Sequence, residues 1–167
     1  RVSKLVLFLL LLSFMSPAPV QAFEPRTIDI AQISWKGSAE KSVSVQDISD
    51  ALKNQVAPLW RDFTSIEGDS RGKFIEFKVG QVLSGTLDLP TPMGCERSDF
   101  TGFMYAVRSE VYKLMSVSNP RDRHLVVLTP PNVCIWSGRA TLGNPQSGGG
   151  VIFLHDNASA FVITHEL

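Results

Sequence analysis

The sequence His-Leu-Val-Val-Leu-Thr at residues 124–129 decides the fold, because it is an unbroken apolar run typical of a central strand buried on both faces of a sheet. Val-Ile-Phe-Leu at residues 151–154 predicts a further strand downstream. Upstream, loosely alternating apolar residues predict strands at Thr27–Trp35 and Lys73–Leu83. Helical patterns separate these strands, and this alternation predicts an α/β layer sandwich with a largely parallel sheet.

The first helical pattern follows Ser44, which is a predicted N-cap. Its apolar residues recur at spacings of three and four over about five turns. They are Val45, Ile48, Leu52, Val56, Leu59, Trp60 and Phe63. Pro58 is predicted to bend or interrupt this helix near its end, because proline has no backbone N–H to donate.

Two more helices are predicted in the second half of the chain. One opens at Asp99 or Thr101. The other covers Ala158–Leu167, with Asp156 and Asn157 as its predicted N-caps. This last helix is nearly all apolar until it reaches an ionisable pair close to its end.

The composition is that of a globular protein, with 167 residues, 16 Lys+Arg, 16 Asp+Glu and 44% hydrophobic residues. The length suits a single domain, and no internal repeat or low-complexity tract divides the sequence. This composition excludes a disordered tail, a collagen-like fibre, a coiled coil and a basic nucleic-acid clamp. An enzyme is not excluded.

The first 22 residues have the pattern of a secretory signal peptide. Arg1 and Lys4 form a cationic start, Leu5–Met15 is a short apolar core, and small residues precede a cleavage point after Ala22. The apolar run is short for a stable membrane span, although an uncleaved anchor is the alternative. We therefore expect a mature chain of Phe23–Leu167 that is secreted, either to the extracellular space or to the periplasm, with no stable membrane span and no affinity for nucleic acid.

Cys95 and Cys134 are the two cysteines of the chain. In an exported protein an even count favours one disulfide, here closing a long loop that would stabilise the fold by about 3–4 kcal/mol. A zinc site is a weaker alternative because no histidine neighbours either cysteine, and so is a reactive thiol.

His165-Glu166 is the ionisable pair at the end of the last helix. It matches the first half of His-Glu-x-x-His, in which two histidines four residues apart on one helical face bind zinc and the glutamate removes a proton from the metal-bound water. The second histidine would fall at position 169, which the sequence does not include. The alternative is a chance pair at a solvated helix end. His124 and His155 have no partner at ligand spacing and are expected to be ordinary histidines rather than ligands.

The surrounding segments extend the match. They are Cys134-Ile135-Trp136, Gly138-Arg139-Ala140-Thr141-Leu142-Gly143, Gly150-Val151-Ile152-Phe153-Leu154 and Phe161-Val162-Ile163-Thr164-His165-Glu166-Leu167. In this order they resemble the metzincin clan of zinc endopeptidases, and within it the gametolysin and reprolysin-like (adamalysin-like) families. The likeness covers roughly residues 123–167.

The resemblance implies a zincin-type three-layer sandwich, with a mostly parallel twisted sheet, an antiparallel edge strand and the active-site helix at the C-terminal end. It implies that residues 23–167 are the N-terminal part of a catalytic domain that is cut within its metal motif and lacks the C-terminal subdomain. His165 would then be the first zinc ligand and Glu166 the general base. A peptide or protein substrate would pair with the edge strand Gly138, Arg139, Ala140, Thr141, Leu142 and Gly143, although an ordinary protected edge is the alternative.

The function expected from these residues is that of a secreted zinc-dependent metalloendopeptidase that hydrolyses peptide bonds through a metal-activated water. With one credible ligand, the 167 residues alone are expected to be inactive. A zinc-capping role for Cys95 ranks below its pairing with Cys134, since no separate pro-segment precedes the domain. The alternative from another class is a non-catalytic secreted binding or adhesion module with a metzincin-like fold.

Overall fold

A five-stranded sheet organises the chain. The computed structural model describes residues 22–35, 44–66, 73–87, 100–129, 138–141, 143, 149–154 and 159–167. The strands are β1 (Ala22–Trp35), β2 (Lys73–Leu87), β3 (Arg123–Leu128), β4 (Gly138–Ala140) and β5 (Val151–Leu154). Their order is β2-β1-β3-β5-β4, in which β4 is antiparallel to β5 and all other neighbours are parallel. The predicted mixed α/β class with a mostly parallel sheet is confirmed.

Helices precede or follow the strands as the sequence predicts. They are α1 (Val45–Ala51), a π-helical turn (Leu52–Val56), α2 (Ala57–Ile66), α3 (Phe100–Leu114) and α4 (Ala160–Glu166). The Ser44 hydroxyl accepts a hydrogen bond from Gln46 N at 3.2 Å, which confirms the predicted cap of α1.

The π-helical turn explains how Pro58 is accommodated without ending the helix. In an α-helix the proline ring would clash with the carbonyl of the residue four positions earlier. Here Ala57 N donates to Leu52 O, a wider i→i−5 turn directly before the proline. The wider turn also changes the phase of the helix, so that Leu59 and Phe63 are 51% and 59% exposed. The predicted apolar stripe is therefore wrong at these two residues.

Helix α3 ends in a hydrogen-bonded cap formed by serine. Ser116 has a φ of 55°, in the left-handed region that glycine usually occupies. Ser116 N donates to Lys113 O at 3.0 Å, and Val117 N donates to Tyr112 O at 2.9 Å. These two bonds are the pair that defines a Schellman cap.

The helices cover both faces of the sheet, so the described residues form three layers. Helix α3 packs on one face, and the buried side chains there are Ala31, Ile33, Leu87, Phe100, Met104, Val107, Val111, Tyr112, Met115, Leu125, Val127, Val151 and Phe153. The first two helices, the π-helical turn and α4 pack on the opposite face. Its buried side chains are Ile28, Ile30, Ile48, Leu52, Val56, Phe77, Val126, Leu128, Ile152, Leu154 and Ile163.

An irregularity interrupts the pairing of β1 with β2 at Asp29, which is fully buried. The Asp29 carboxylate accepts hydrogen bonds from Gln81 N at 2.7 Å and from Arg123 Nε at 2.7 Å. A Cβ on Gly80 would lie 2.3 Å from Asp29 Oδ1 and 2.4 Å from Thr27 Cγ2. Glycine is therefore required at position 80, because any side chain there would displace the buried ion pair.

Two predictions fall outside the described residues. The signal-peptide core and both cysteines, Cys95 and Cys134, lie there, so the leader and the disulfide remain predictions. Within the described ranges, no helix has both the length and the apolar character needed to cross a bilayer.

Candidate functional site

Helix α4 carries the two residues that the sequence singles out. Its N-cap is Ser159, whose hydroxyl accepts a hydrogen bond from Val162 N at 3.4 Å. The sequence-based assignment of the cap to Asp156 or Asn157 was therefore wrong, because the helix begins later than predicted. Ile163 is fully buried and fixes the face of α4 that contacts the sheet. This orientation determines where the last turn places its side chains.

Glu166 lies beside the edge strand β4. A Cβ built on Gly138 would be 2.9 Å from Val162 Cγ1, 3.2 Å from Glu166 Cγ and 3.3 Å from Glu166 Oε1. Glycine at position 138 therefore allows α4 to approach β4 so closely that the Val162 and Glu166 side chains occupy the space that a side chain at position 138 would need. Since Val162 and Glu166 are four residues apart, they lie on the same helical face.

The edge strand is shorter than its predicted six residues. Ordered strand pairing covers Gly138–Ala140, and Ala140 pairs with Ile152 of β5. At Thr141 the backbone N–H still donates to Val151 O at 2.9 Å, and the Thr141 hydroxyl accepts a hydrogen bond from Val151 N at 3.1 Å. Leu142 lies outside the described residues, and Gly143 is exposed.

Arg139 points to the opposite face of the sheet from Gly138. Its guanidinium lies 4.7 Å from the centroid of the Phe100 ring. This contact holds β4 against the α3 layer, so the strand is fixed on both faces. The side of β4 that does not face β5 is the end of the described sheet. A substrate-binding role for this edge remains a prediction.

His165 is exposed and lines a groove of about 450 Å³ between α4 on one side and the π-helical turn and α2 on the other. The other residues of this groove are Gln55, Leu59, Ala160, Phe161 and Thr164. Phe161 is 79% exposed. Consecutive helical residues are rotated by about 100°, so the imidazole faces this groove while the neighbouring carboxylate faces β4.

The described residues do not form a complete zinc site. Zinc in a catalytic site takes three protein ligands and one water. Among the residues that the structure describes, no group of three His, Cys, Asp or Glu side chains is placed to hold a metal ion. His165 has the accessible imidazole that a first ligand needs, and Glu166 has a carboxylate one residue away. The pair fits one ligand and one base, not a complete metal centre.

A larger cavity than this groove lies elsewhere, and no sequence motif pointed to it. It has a volume of about 640 Å³, and its lining includes Arg26, Trp60, Arg121 and His124. His124 was expected to be an ordinary histidine, but burial, with Arg26 and Arg108 nearby, lowers its pKa to about 4. These four residues come from three separate parts of the chain, so no local motif marks the cavity.

A second polar cluster has a structural role. Arg123 binds Asp29 through both Nε and a terminal nitrogen, and this bonding raises the pKa of Arg123. Burial raises the pKa of the neighbouring Tyr112 to about 12. Both acid–base groups keep their charge state across the physiological range, which suits a fixed ion pair rather than proton transfer.

The comparisons with known proteins assign no class. No protein-family model matches the chain, and no curated protein matches its sequence. The function proposed below therefore depends on the residues and their geometry.

Proposed function

We propose that the chain is the N-terminal part of a secreted zinc-dependent metalloendopeptidase, similar in its arrangement to the metzincins. The observation that carries the proposal is the packing of α4 against β4, which brings the Glu166 carboxylate to Gly138 of an antiparallel edge strand. An exposed histidine, His165, precedes this carboxylate directly. Of the two motif residues, Glu166 thus lies beside the strand that would hold a substrate, and His165 is next to it on an exposed face of the same helical turn.

The edge strand would bind an extended peptide through its backbone. An unpaired strand edge presents N–H and C=O groups that pair with another chain, and small residues permit a close approach. Gly138 and Ala140 are the small residues of β4. Because the Glu166 side chain lies over Gly138, a peptide paired along this edge would place a backbone carbonyl near the last turn of α4.

In the proposed reaction Glu166 accepts a proton from water and later donates it to the leaving amine. His165 would provide one imidazole nitrogen to the metal. Zinc, when bound, supplies a lowered water pKa and polarises the substrate carbonyl. Further ligands would come from residues outside those described. The secreted location rests on the pattern of the first 22 residues.

The test requires the chain together with whatever sequence follows it in its gene. The extended protein should bind one zinc ion and cleave an unstructured protein such as casein. The Glu166→Gln variant should retain zinc and lose about 10²- to 10⁴-fold in kcat, as expected when a general base is removed. Glu110→Gln on α3 is the matched control, because Glu110 is a partly exposed glutamate on the other side of the sheet. Undiminished cleavage by Glu166→Gln refutes the proposed base.

Gly138→Ala tests the contact between the helix and the strand. Its Cβ would displace Val162 or Glu166, so kcat should fall by about tenfold or more while zinc remains bound. Gly85→Ala in β2 is the control, because a Cβ there meets nothing within 4 Å. Equal activity of the two variants would show that the position of Glu166 against β4 has no role in catalysis.

The binding-module alternative makes a different prediction for the same protein. If position 169 is not histidine, and the extended chain neither retains zinc nor cleaves casein, the enzymatic proposal fails. The fold would then serve a non-catalytic role.

A further inference from the structure

The outer edge of β2, on the side away from β1, is protected along its first half. Ile75 N donates a hydrogen bond at 3.2 Å to the Thr64 hydroxyl near the end of α2, so the helix covers the edge at this point. Glu76 and Lys78 follow, with 3.5 Å between the ammonium nitrogen and a carboxylate oxygen. Covering elements and charged side chains are means by which proteins prevent a sheet edge from pairing with another chain.

Within the described residues, the second half of β2 carries no such protection. Residues 79–87 include no charged residue and no proline. Val82 is 50% exposed, and Ser84 and Thr86 are exposed as well. No described strand pairs with β2 on the side away from β1. A long uncharged edge of this kind offers its backbone groups to another strand.

The backbone directions along this half follow from the irregularity beside Asp29. Gln81 N donates to the Asp29 carboxylate of β1 at 2.7 Å and therefore faces β1. Hydrogen-bonding groups alternate between the two edges of a strand, so those of Val82, Ser84 and Thr86 point to the outer edge. Each of these three residues supplies one N–H donor and one C=O acceptor there.

The side chains of the same three residues lie on one face of the sheet. Ser84 Oγ donates to Gln32 Oε1 of β1 at 3.4 Å. The hydroxyls of Thr86 and Ser34 of β1 are 2.8 Å apart. Val82 lies on the same face because side chains alternate along a strand. A strand added at this edge would therefore meet one aliphatic side chain and two hydroxyl side chains on this face.

We propose that residues 82–86 of β2 pair with the same residues of a second copy of this chain, in an antiparallel dimer centred on Ser84. In this alignment Ser84 faces Ser84 of the partner subunit, and Val82 of each copy faces Thr86 of the other. All three outward residues are then paired, and each facing pair exchanges two backbone hydrogen bonds. The facing side chains bring no like charges together, and β-branched residues pack well across strands.

A second copy fits this edge because the edge is complementary to itself. The same patch is used on both subunits, which is the arrangement of the common two-fold dimers of soluble proteins. A single strand pair buries less than the roughly 1,200–2,000 Å² of a stable interface, so we expect a reversible dimer. The strand β4, which would hold a substrate, lies at the opposite edge of the sheet. The dimer is therefore independent of the metallopeptidase function.

The first experiment measures association of the full chain by sedimentation equilibrium, from micromolar to near-millimolar concentration. We expect a reversible equilibrium between monomer and dimer. In hydrogen exchange followed by NMR, the amides of Val82, Ser84 and Thr86 should exchange at least tenfold more slowly at the highest concentration than at the lowest. The amides of Leu83 and Gly85, which face β1, are the internal control and should not change.

Two outcomes of this experiment overturn the proposal. One is a chain that stays monomeric over the whole concentration range. The other is protection of the three outward amides that does not depend on concentration, because a segment of the same chain would then cover the edge.

Two double variants test the alignment. Val82→Lys/Thr86→Glu places opposite charges face to face across the dimer, whereas Val82→Lys/Thr86→Lys places like charges there. Because both positions are exposed, both variants should fold, as judged by circular dichroism, and we expect the first to dimerise at least tenfold more tightly than the second. Leu59→Lys/Phe63→Lys adds two lysines at exposed positions of α2 and should dimerise like the parent. Equal dissociation constants for the two Val82 variants would show that the pairing centred on Ser84 is wrong.

Discussion

Acid should destabilise the fold through His124, and the size of the effect follows from its surroundings. Burial, with the cations Arg26 and Arg108 nearby, lowers the pKa of this imidazole from 6.5 to about 4. The folded chain therefore keeps residue 124 neutral where the unfolded chain already protonates it. The stabilising contribution is complete above pH 6.5 and is lost as the pH falls from 6.5 towards 4.

The magnitude comes from the difference between the two pKa values. Each pKa unit corresponds to about 1.4 kcal/mol, so the free energy of unfolding should fall by about 3 kcal/mol across this pH range from His124 alone. Carboxylates add their own acid dependence. The informative quantity is therefore the difference between the parent protein and a variant without the imidazole.

Urea unfolding at half-unit steps from pH 7.5 to 4 provides the measurement. His124→Phe keeps a ring against Phe77 and should show a flatter acid limb, with the two stability curves converging as the pH falls. His165→Asn, which removes an exposed imidazole, is the matched control and should follow the parent. If the curves of His124→Phe and the parent stay parallel between pH 6.5 and 4, the buried neutral histidine is refuted.

Three further stability predictions follow from packing and backbone geometry. Asp29→Asn should destabilise the fold by about 3 kcal/mol in urea unfolding, because it leaves the Arg123 charge without its buried partner, whereas Asp122→Asn, at an 82% exposed carboxylate, should have little effect. A result in which both variants lose the same stability would contradict this difference. Ser116→Gly should raise the melting temperature by relieving a left-handed φ of 55°, with a gain of about 1 kcal/mol, and a lower melting temperature would show that the serine is not strained. Gly102→Ala, at an open helical position on α3, should stabilise by about 1 kcal/mol, and thermal unfolding that shows a loss would mean that the site is not open.

Much of the fold could be predicted because its signals are local. The central strand at residues 124–129 and the strand at residues 151–154 are visible as apolar runs, and Ser44 is a cap with the residue type that caps favour. Parallel pairing follows from strands joined by helices. The antiparallel edge strand was expected only from the family resemblance, and β4 pairs with β5 in that direction.

The errors arise where a local pattern competes with packing. Leu59 and Phe63 continue a helical stripe in sequence, yet the π-helical turn before Pro58 rotates them towards solvent. Asp156 and Asn157 are good capping residues, but Ser159 caps the helix because the buried Ile163 sets where α4 meets the sheet. A pattern read from one segment cannot include the constraint that another segment imposes.

The two candidate sites also differ in how much of each can be predicted from the sequence. His165 and Glu166 are neighbours in a known motif, so their chemistry is visible in the sequence. The position of Glu166 over Gly138, however, depends on how α4 crosses β4. The cavity that contains His124 and Trp60 has no motif, because these residues are 64 positions apart and meet only after the strands align.

The buried carboxylate in the middle of β1 has a consequence for how the chain finds its alignment. Two long parallel strands can slide by two residues without turning any side chain to the wrong face, so hydrophobicity alone does not choose between such alignments. Asp29 removes this freedom, since only one alignment brings it opposite Gly80 and beneath Gln81 N. In a shifted pair the charge would sit in an apolar layer without a donor, at a cost of several kcal/mol. Asp29 thus fixes the register in which β1 pairs with β2.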